Sequence, residues 1–436
     1  IMSELKVNKI SPRSGTAVTV GDTALLSWQT TPKTATFTAA SGEGYFINQS
    51  SAITANLPAG SPGAVVAFAD YARNFETYNL TISPNGSEKI GGVADDARLS
   101  VNGQAATFVY VDSTKGWINV QNAEDTEIGN SFITATGGTV TTVNCGACKV
   151  HTFTGPGTFC VSALATAPAN NQVSYLVVAG GGGAGTQISG NGGTGGAGAG
   201  GFREDKSPTT PYTASPLEGA GAITVTATAF PITVGGGGPG GPAPSAAKGT
   251  NGTNSQFSTI ISAGGGGGGA AAGPNFQPGL PGGSGGGSGQ TGSPPFTGGT
   301  GNTPPTNPAQ GKDGGSTNTG SPNFAAGGGG GATTTGGNSG PTAGGAGGDG
   351  ATTGISGSNT TYAGGGGGGT YQGGTPGAGG PGGGGAGGPP NANAAGSNGT
   401  DNTGGGAGGS STANTGTPVA GATGGSGVVV IRYKIA

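Results

Sequence analysis

Over the first part of the chain, apolar and β-branched residues come in short runs cut by Gly, Pro and Asn. The runs fall at 34–38, 44–47, 64–68, 78–82, 106–111 and 116–120, which are strand lengths bounded by turn residues. No window carries a helical period or a heptad, so an all-β module is predicted over 21–125. A second group follows at 149–154, 157–161 and 173–178, and Thr154-Gly-Pro-Gly157 predicts a hairpin between the first two. Further strand-like pieces stand at 222–226, 230–234 and 428–433. Apolar segments therefore flank the intervening chain on both sides. One sheet is predicted, with base strands within 126–178 and a returning strand at 428–436.

Between these ends, over 179–427, the pattern changes. Apolar residues run into Ala and then into a Gly block, as in Leu176-Val-Val-Ala-Gly180, Ile260-Ile-Ser-Ala-Gly264, Phe324-Ala-Ala-Gly327 and Tyr362-Ala-Gly364. The irregular spacing of these units excludes a fixed-period solenoid, and Gly is not kept at every third position as collagen requires. Of 436 residues 106 are Gly and 29 Pro. Such a composition without a period ordinarily goes with disorder, because Gly in a regular element costs about 0.5–1 kcal/mol relative to Ala. Polyglycine-II geometry offers the compensation. It has three residues per turn and no internal hydrogen bonds, so helices without side chains at the contact can exchange N–H···O and Cα–H···O bonds. The fold class predicted is all-β N-terminal modules plus a glycine-rich domain of packed polyglycine-II helices on a small β base, with no significant α-helix. Each apolar-Ala unit is expected to start at the base, which would gather loops 186–191, 270–281, 332–341 and 370–375 at the far end.

Charge narrows the function. Only 8% of residues are charged, the net charge is −3, and no Lys or Arg run exists, so a nucleic-acid partner is not expected. The apolar stretches at 176–179 and 428–431 are far shorter than the roughly 20 residues of a bilayer span, and 2–10 has no apolar core of a secretory signal. Cys145, Cys148, His151 and Cys160 are the residue types of a Cys₃His zinc site, but a disulfide or free thiols at the margin of a hairpin account for them better. The expectation is no metal and no cofactor. Acidic residues in the tract are scattered at Glu204, Asp205, Glu218, Asp313, Asp349 and Asp401, so paired-carboxylate hydrolysis is not expected and the chain reads as a non-enzyme. No Gly block is followed by Gly-Lys-Ser/Thr, which excludes a phosphate loop. Aromatics on Gly-flanked loops, Tyr212, Phe276, Phe296 and Tyr371, are the binding lead, since recognition surfaces favour such rings. The predicted receptor-binding residues are Phe276 and Tyr371, with Asn275, Gln277 and Gln372 as hydrogen-bonding neighbours.

Several segments carry a family resemblance. The stretch Gly44-Tyr-Phe-Ile-Asn-Gln-Ser-Ser-Ala-Ile-Thr-Ala-Asn-Leu-Pro58, with Thr107-Phe-Val-Tyr-Val-Asp-Ser-Thr-Lys-Gly-Trp117, resembles tail-fibre proteins of marine and cyanobacterial phages. Val7-Asn-Lys-Ile-Ser-Pro-Arg-Ser-Gly-Thr16 looks like a virion-attachment segment, assigned to 1–20. From His151-Thr-Phe-Thr154 through Tyr175-Leu-Val-Val-Ala-Gly180 to Gly427-Val-Val-Val-Ile-Arg-Tyr433 the chain is similar to glycine-rich tail-fibre domains. The polyglycine architecture resembles the tip adhesin of T-even-like phages. The resemblance implies a virion-borne, extracellular homotrimer that binds a host receptor, glycan or outer-membrane protein, and other tail or baseplate proteins. It leaves Cys145, Cys148 and Cys160 unexplained. The alternative function is a structural or surface-coating protein of silk-like or ice-binding type.

Overall fold

Alternation along Glu43–Ile47, Val65–Asp70 and Ala105–Asp112 buries Tyr45, Ile47, Val66, Phe68, Ala106 and Phe108 on one side of a sheet. The computed structural model that shows this describes residues 19–20, 23–24, 26–121, 127–128, 132–144, 146–165, 167–187, 192–219, 221–271, 278–290, 295–317, 324–413 and 417–435. Apart from Thr19–Val20, the expected attachment segment lies outside them. The chain forms two compact units, Ile1–Phe132 with Ala165–Pro168, and Ile133–Leu164 with Ala169–Ala436.

The first unit is built on two five-stranded sheets. One runs Gly116–Asn119, Ala105–Asp112, Val65–Asp70, Glu43–Ile47, Ser27–Lys33, and the other Glu127–Ile128, Ala97–Leu99, Leu80–Ser83, Ile53–Asn56, Phe37–Thr38. The chain alternates between them from Ser27 to Ser83, so successive strands within each sheet are parallel. Phe68, Phe75, Phe108 and Trp117 fill the core. The sequence reading missed Ser27–Lys33, Ile53–Asn56 and Ala97–Leu99, whose Gln, Thr, Asn and Arg content hides them. Pro32 in the first is compatible with its edge position.

In the second unit a five-stranded and a six-stranded sheet enclose Phe153, Phe159, Val177, Ile232, Phe257, Val429 and Ile431. The expected hairpin is not formed. Cys148–Phe153 pairs with Thr139–Val143 and Val428–Lys434 in one sheet, while Gly157–Ala163 pairs with Thr134–Thr136 and Ala229–Thr233 in the other. The turn between them crosses from sheet to sheet, which lets Phe153 and Phe159 enter the same core. Val428–Lys434 fills the middle of the six-stranded sheet, between Cys148–Phe153 and Gln172–Val178. Among the described residues the helical content is one 3₁₀ turn, Pro168–Asn171.

Beyond Val178 the backbone itself becomes the packing surface. The N–H groups of Ala179 and Gly182 bond to Gly201 and Gly198, those of Gly180, Gly183 and Thr186 to Thr253, Thr250 and Ala247, and those of Gly181 and Ala184 to Gly425 and Ala422, all at 2.8–3.1 Å. Carbonyls of the same segment accept from Gly265 and Gly268, from Gly238 and Gly241, and from Ala407. A repeat of three with lateral partners on every side is the polyglycine-II helix in a stack. Partner numbers descend for some neighbours and ascend for others, so antiparallel and parallel helices are mixed. A Cβ on Gly266 would run into the Leu280 carbonyl oxygen and the Gly286 nitrogen. Where methyl groups do occur, Ala184, Ala197, Ala407 and Ala422 gather in a small cluster of their own.

One directional expectation is overturned. The segments from Ala179, Ala263 and Ala363 run outward from the base, but the segment from Phe324 runs inward. The N–H groups of Gly193, Gly196 and Ala199 bond in ascending order to Phe324, Gly327 and Gly330, and 193–201 is itself returning, antiparallel to the helix from Ala179. Phe324 thus stands at the far end, and Ala332 packs at the base with Val428 and Val430. Loop 332–341 begins at the base and does not belong to the far-end cluster as a whole.

Gly266→Val is expected to destabilise the glycine-rich unit by about 2–4 kcal/mol, from overpacking plus lost lateral hydrogen bonds. Thr300→Val, on an exposed position of a neighbouring helix, is expected to cost under about 0.5 kcal/mol. Equal shifts of the melting transition for the two variants would contradict backbone-to-backbone packing.

Candidate functional site

The far end of the stack is assembled where outward segments stop and return. Short bridges tie Gln187 to Ala271, Tyr371 to Thr412, Ala343 to Thr375, Phe296 to Thr317 and Ala394 to Ser411. Hydroxyls close the same layer. Ser411 Oγ donates to the Gly388 carbonyl (2.6 Å), Thr412 Oγ1 to that of Gly192 (3.0 Å) and Thr370 Oγ1 to that of Gly374 (3.2 Å). Past this layer, turns at 242–245, 341–342, 372–373 and 389–391 are exposed. Asp313, Asp349 and Asp401 lie on segments nearer the base. Among the described residues the charged side chain at the far end is Lys248, whose pKa burial lowers. The end surface is therefore polar, Pro-rich and nearly uncharged.

Of the predicted receptor residues, Asn275, Phe276 and Gln277 lie outside the described residues. Tyr371 and Gln372 are at the far end. Tyr371 does not stand free of the stack, as expected of it, but is 7% exposed, its ring edge-on to Phe324 with centroids 5.9 Å apart. Gln372 is exposed, with a φ of +40° and its N–H donating to the Thr412 carbonyl at 3.2 Å. Phe296 is half-buried at the same end. Tyr212 is elsewhere, at the base beneath the Arg432 guanidinium, 5.0 Å from its ring centroid. Sequence reasoning missed Gln187. Its amide is fully buried, and neither Oε1 nor Nε2 has a hydrogen-bond partner among the described residues. Leaving such a group unpaired costs about 1–3 kcal/mol, so it marks polar capacity that the described residues do not use. The available signal was Gln closely following a Gly block, at Gln187, Gln290 and Gln372.

The Cys/His group does not converge. Cys145 lies outside the described residues, and Cys148 and Cys160 are free thiols. Cys148 and His151 are three positions apart on one strand, and alternation sends them to opposite faces. His151 is buried with both ring nitrogens engaged, Nδ1 at 2.7 Å from the Gly137 carbonyl and Nε2 at 3.1 Å from the Tyr433 hydroxyl. Burial is also the main reason its pKa is lowered. Among the described residues no three His, Cys, Asp or Glu side chains come together to hold a metal.

Charged groups are instead buried at the base. Arg432 is fully buried, its Nη1 donating to the Gly354 and Ile355 carbonyls (3.3 and 3.2 Å) and its Nη2 to that of Pro211 (2.7 Å). Glu204, 2% exposed, accepts from Thr353 Oγ1 and from the Ser215 N–H at 2.9 Å. These contacts pin the excursions 206–219 and 351–362 onto the outer face of the six-stranded sheet. Desolvation raises the pKa of Glu204 above the ordinary 4.5, against the lowering effect of its hydrogen bonds. Asp205 faces the opposite way on the strand and accepts from the Gly221 N–H at 2.6 Å. The two neighbouring carboxylates therefore do not share a cleft.

A family model described as a glycine-rich domain matches residues 152–434. No curated protein matches the chain.

A carboxylate whose folded pKa lies above its unfolded value contributes stability that is complete below the unfolded value and lost as pH rises through the folded one. Glu204 is such a group. Its contribution is expected to fall progressively as pH rises from about 4.5, while His151, whose folded pKa is lowered, acts in the opposite sense below its ordinary 6.5. Glu204→Gln, which keeps a donor and an acceptor in place, is expected to melt higher than wild type at neutral pH. Asp205, whose pKa burial also raises, leaves part of the slope. Thermal melting from mildly acid to neutral pH checks this, and a Glu204→Gln variant that melts lower at neutral pH would refute it.

Proposed function

We propose that this chain, which belongs to the glycine-rich domain family, is a virion tail-fibre protein that attaches the particle to a host cell surface. The observation that carries this reading is the far end of the stack. Turns distant in sequence are brought there into one nearly uncharged layer, on helices held by their backbones. A scaffold that spends its glycines on lateral bonding leaves the turn residues free of packing duties, which is the arrangement of a display surface. The scarcity of charge there, with Lys248 the charged side chain among the described residues, suits a neutral receptor, a glycan or the loops of an outer-membrane protein. The tail-fibre resemblance of 44–58 and 107–117 supports the virion assignment, and homotrimerisation follows from the same resemblance.

The labelled full chain is expected to bind cells of a marine or cyanobacterial host and to compete there with virions. Phe276→Ala combined with Gln372→Ala is expected to lower cell binding at least about tenfold and to leave melting unchanged. Binding unaffected by this variant would place the receptor surface elsewhere. A chain that coats surfaces indiscriminately, without competition, would favour the structural alternative. Sedimentation of the full chain tests the trimer.

A further inference from the structure

The outer side of a sheet in the first unit carries aromatic rings that its core does not use. Alternation sends Tyr45 and Ile47 inward, so Gly44 and Phe46 face out. Trp28, on the edge strand Ser27–Lys33, is the register partner of Gly44. The indole lies face-down on that glycine, since a Cβ there would sit 2.7, 2.8 and 2.9 Å from three of its ring carbons at once. The side chain is nevertheless 41% exposed. Phe46 extends the floor, its centroid 4.9 Å from that of Trp28 and its plane tilted 31°. Tyr71, 61% exposed, stands almost upright beside Phe46 at 6.5 Å and 70°. Across the register lie Ala67, which is buried, and Ala69, which is half-buried. Asn48 is exposed two residues beyond Phe46.

This arrangement runs against packing. The other tryptophan, Trp117, is fully buried in the same unit, and rings of this size contribute most to stability when buried. Adjacent exposed aromatic rings instead mark a recognition surface. The chemistry that fits is a sugar. A pyranose with equatorial hydroxyls presents C–H groups on both faces and hydroxyls at its rim. One of its faces would stack on the exposed Trp28 indole with Phe46 packed beside it, its edge would meet Tyr71, and its hydroxyls would meet polar groups such as Asn48. Among the described residues no charged side chain belongs to the floor, which favours a neutral saccharide.

We propose that Trp28, Phe46 and Tyr71 form a saccharide-binding platform for β-linked glucose or N-acetylglucosamine chains. It is separate from the far-end surface and does not depend on that reading. A second copy of the chain is the competing occupant, but a protein face would need neighbouring side chains to meet it, and here they are Gly and Ala.

The chain has two tryptophans, and with Trp117 buried, acrylamide quenching of the full chain reads Trp28. Cellohexaose or chitohexaose is expected to protect this fluorescence in a saturable manner. Tyr71→Ala, an exposed position that spares the fold, is expected to weaken that binding roughly tenfold. Calorimetric titration is expected to show binding abolished by Trp28→Ala and partly kept by Trp28→Phe. The proposal is overturned if neither hexaose protects Trp28, or if Tyr71→Ala binds as well as wild type. It is equally overturned if Trp28 is already shielded in a concentration-dependent way without sugar and Trp28→Ala dissociates copies of the chain.

Discussion

The lateral hydrogen bond between glycine backbones is the interaction on which the glycine-rich unit depends. Each such bond contributes a net 0.5–1.5 kcal/mol or so, and each ordered glycine costs about 0.5–1 kcal/mol more than an alanine would. The two magnitudes nearly cancel. A stack of this kind stands only when almost every N–H finds a carbonyl, and it finds one only when neighbouring backbones lie too close for a Cβ. Gly182, Gly266 and Gly366 each face a neighbour's carbonyl oxygen at that range. Composition here is thus a steric requirement rather than a sign of low complexity.

A structure balanced so finely needs fixed ends. The base supplies them with ordinary side-chain chemistry. Val177, Val429 and Ile431 enter one core, while Leu176, Val178, Val428 and Val430 enter the other. The second core also receives Ala332, Ala351 and Tyr362, so the turns of the stack are anchored into it. Arg432 and Glu204 pin two further excursions by satisfying carbonyl, amide and hydroxyl groups that would otherwise be buried unpaired. The final strand is central to the sheet although it comes from the other side of the tract in sequence.

Division of labour follows from this. Stability resides mainly in the backbone contacts of the helices and in the base, and the far-end turns add few such contacts. The exposed Pro-rich turns at 242–245, 341–342 and 389–391 lie beyond the helices that carry the lateral bonds. The first unit uses a different principle, a conventional apolar core between two sheets, and it leaves Trp28 and Tyr71 outside that core. On the two proposed readings the units present exposed surfaces by opposite routes, one by removing side chains and one by setting aromatic rings on a floor of Gly and Ala.

Much of this was legible in the residues. The all-β character followed from the apolar runs, because strand patterning is a local property, and the strands Gln172–Val178 and Val428–Lys434 lie beside the accumulation of glycine. The partners of each glycine block were not legible. Glycine carries no side chain with which to select a neighbour, so the inward direction of the Phe324 segment was settled by which carbonyls lay within reach. The same holds for the crossing at 154–156, where burial of Phe153 and Phe159 in one core prevailed over a local turn signal. Cys148 and His151 look like neighbours in sequence, yet the strand that holds them turns them to opposite faces. Tyr371 looks like a free loop aromatic, yet Phe324, distant in sequence, covers it. Local chemistry specified the elements, and only the three-dimensional arrangement, through burial and backbone pairing, decided which of them meet.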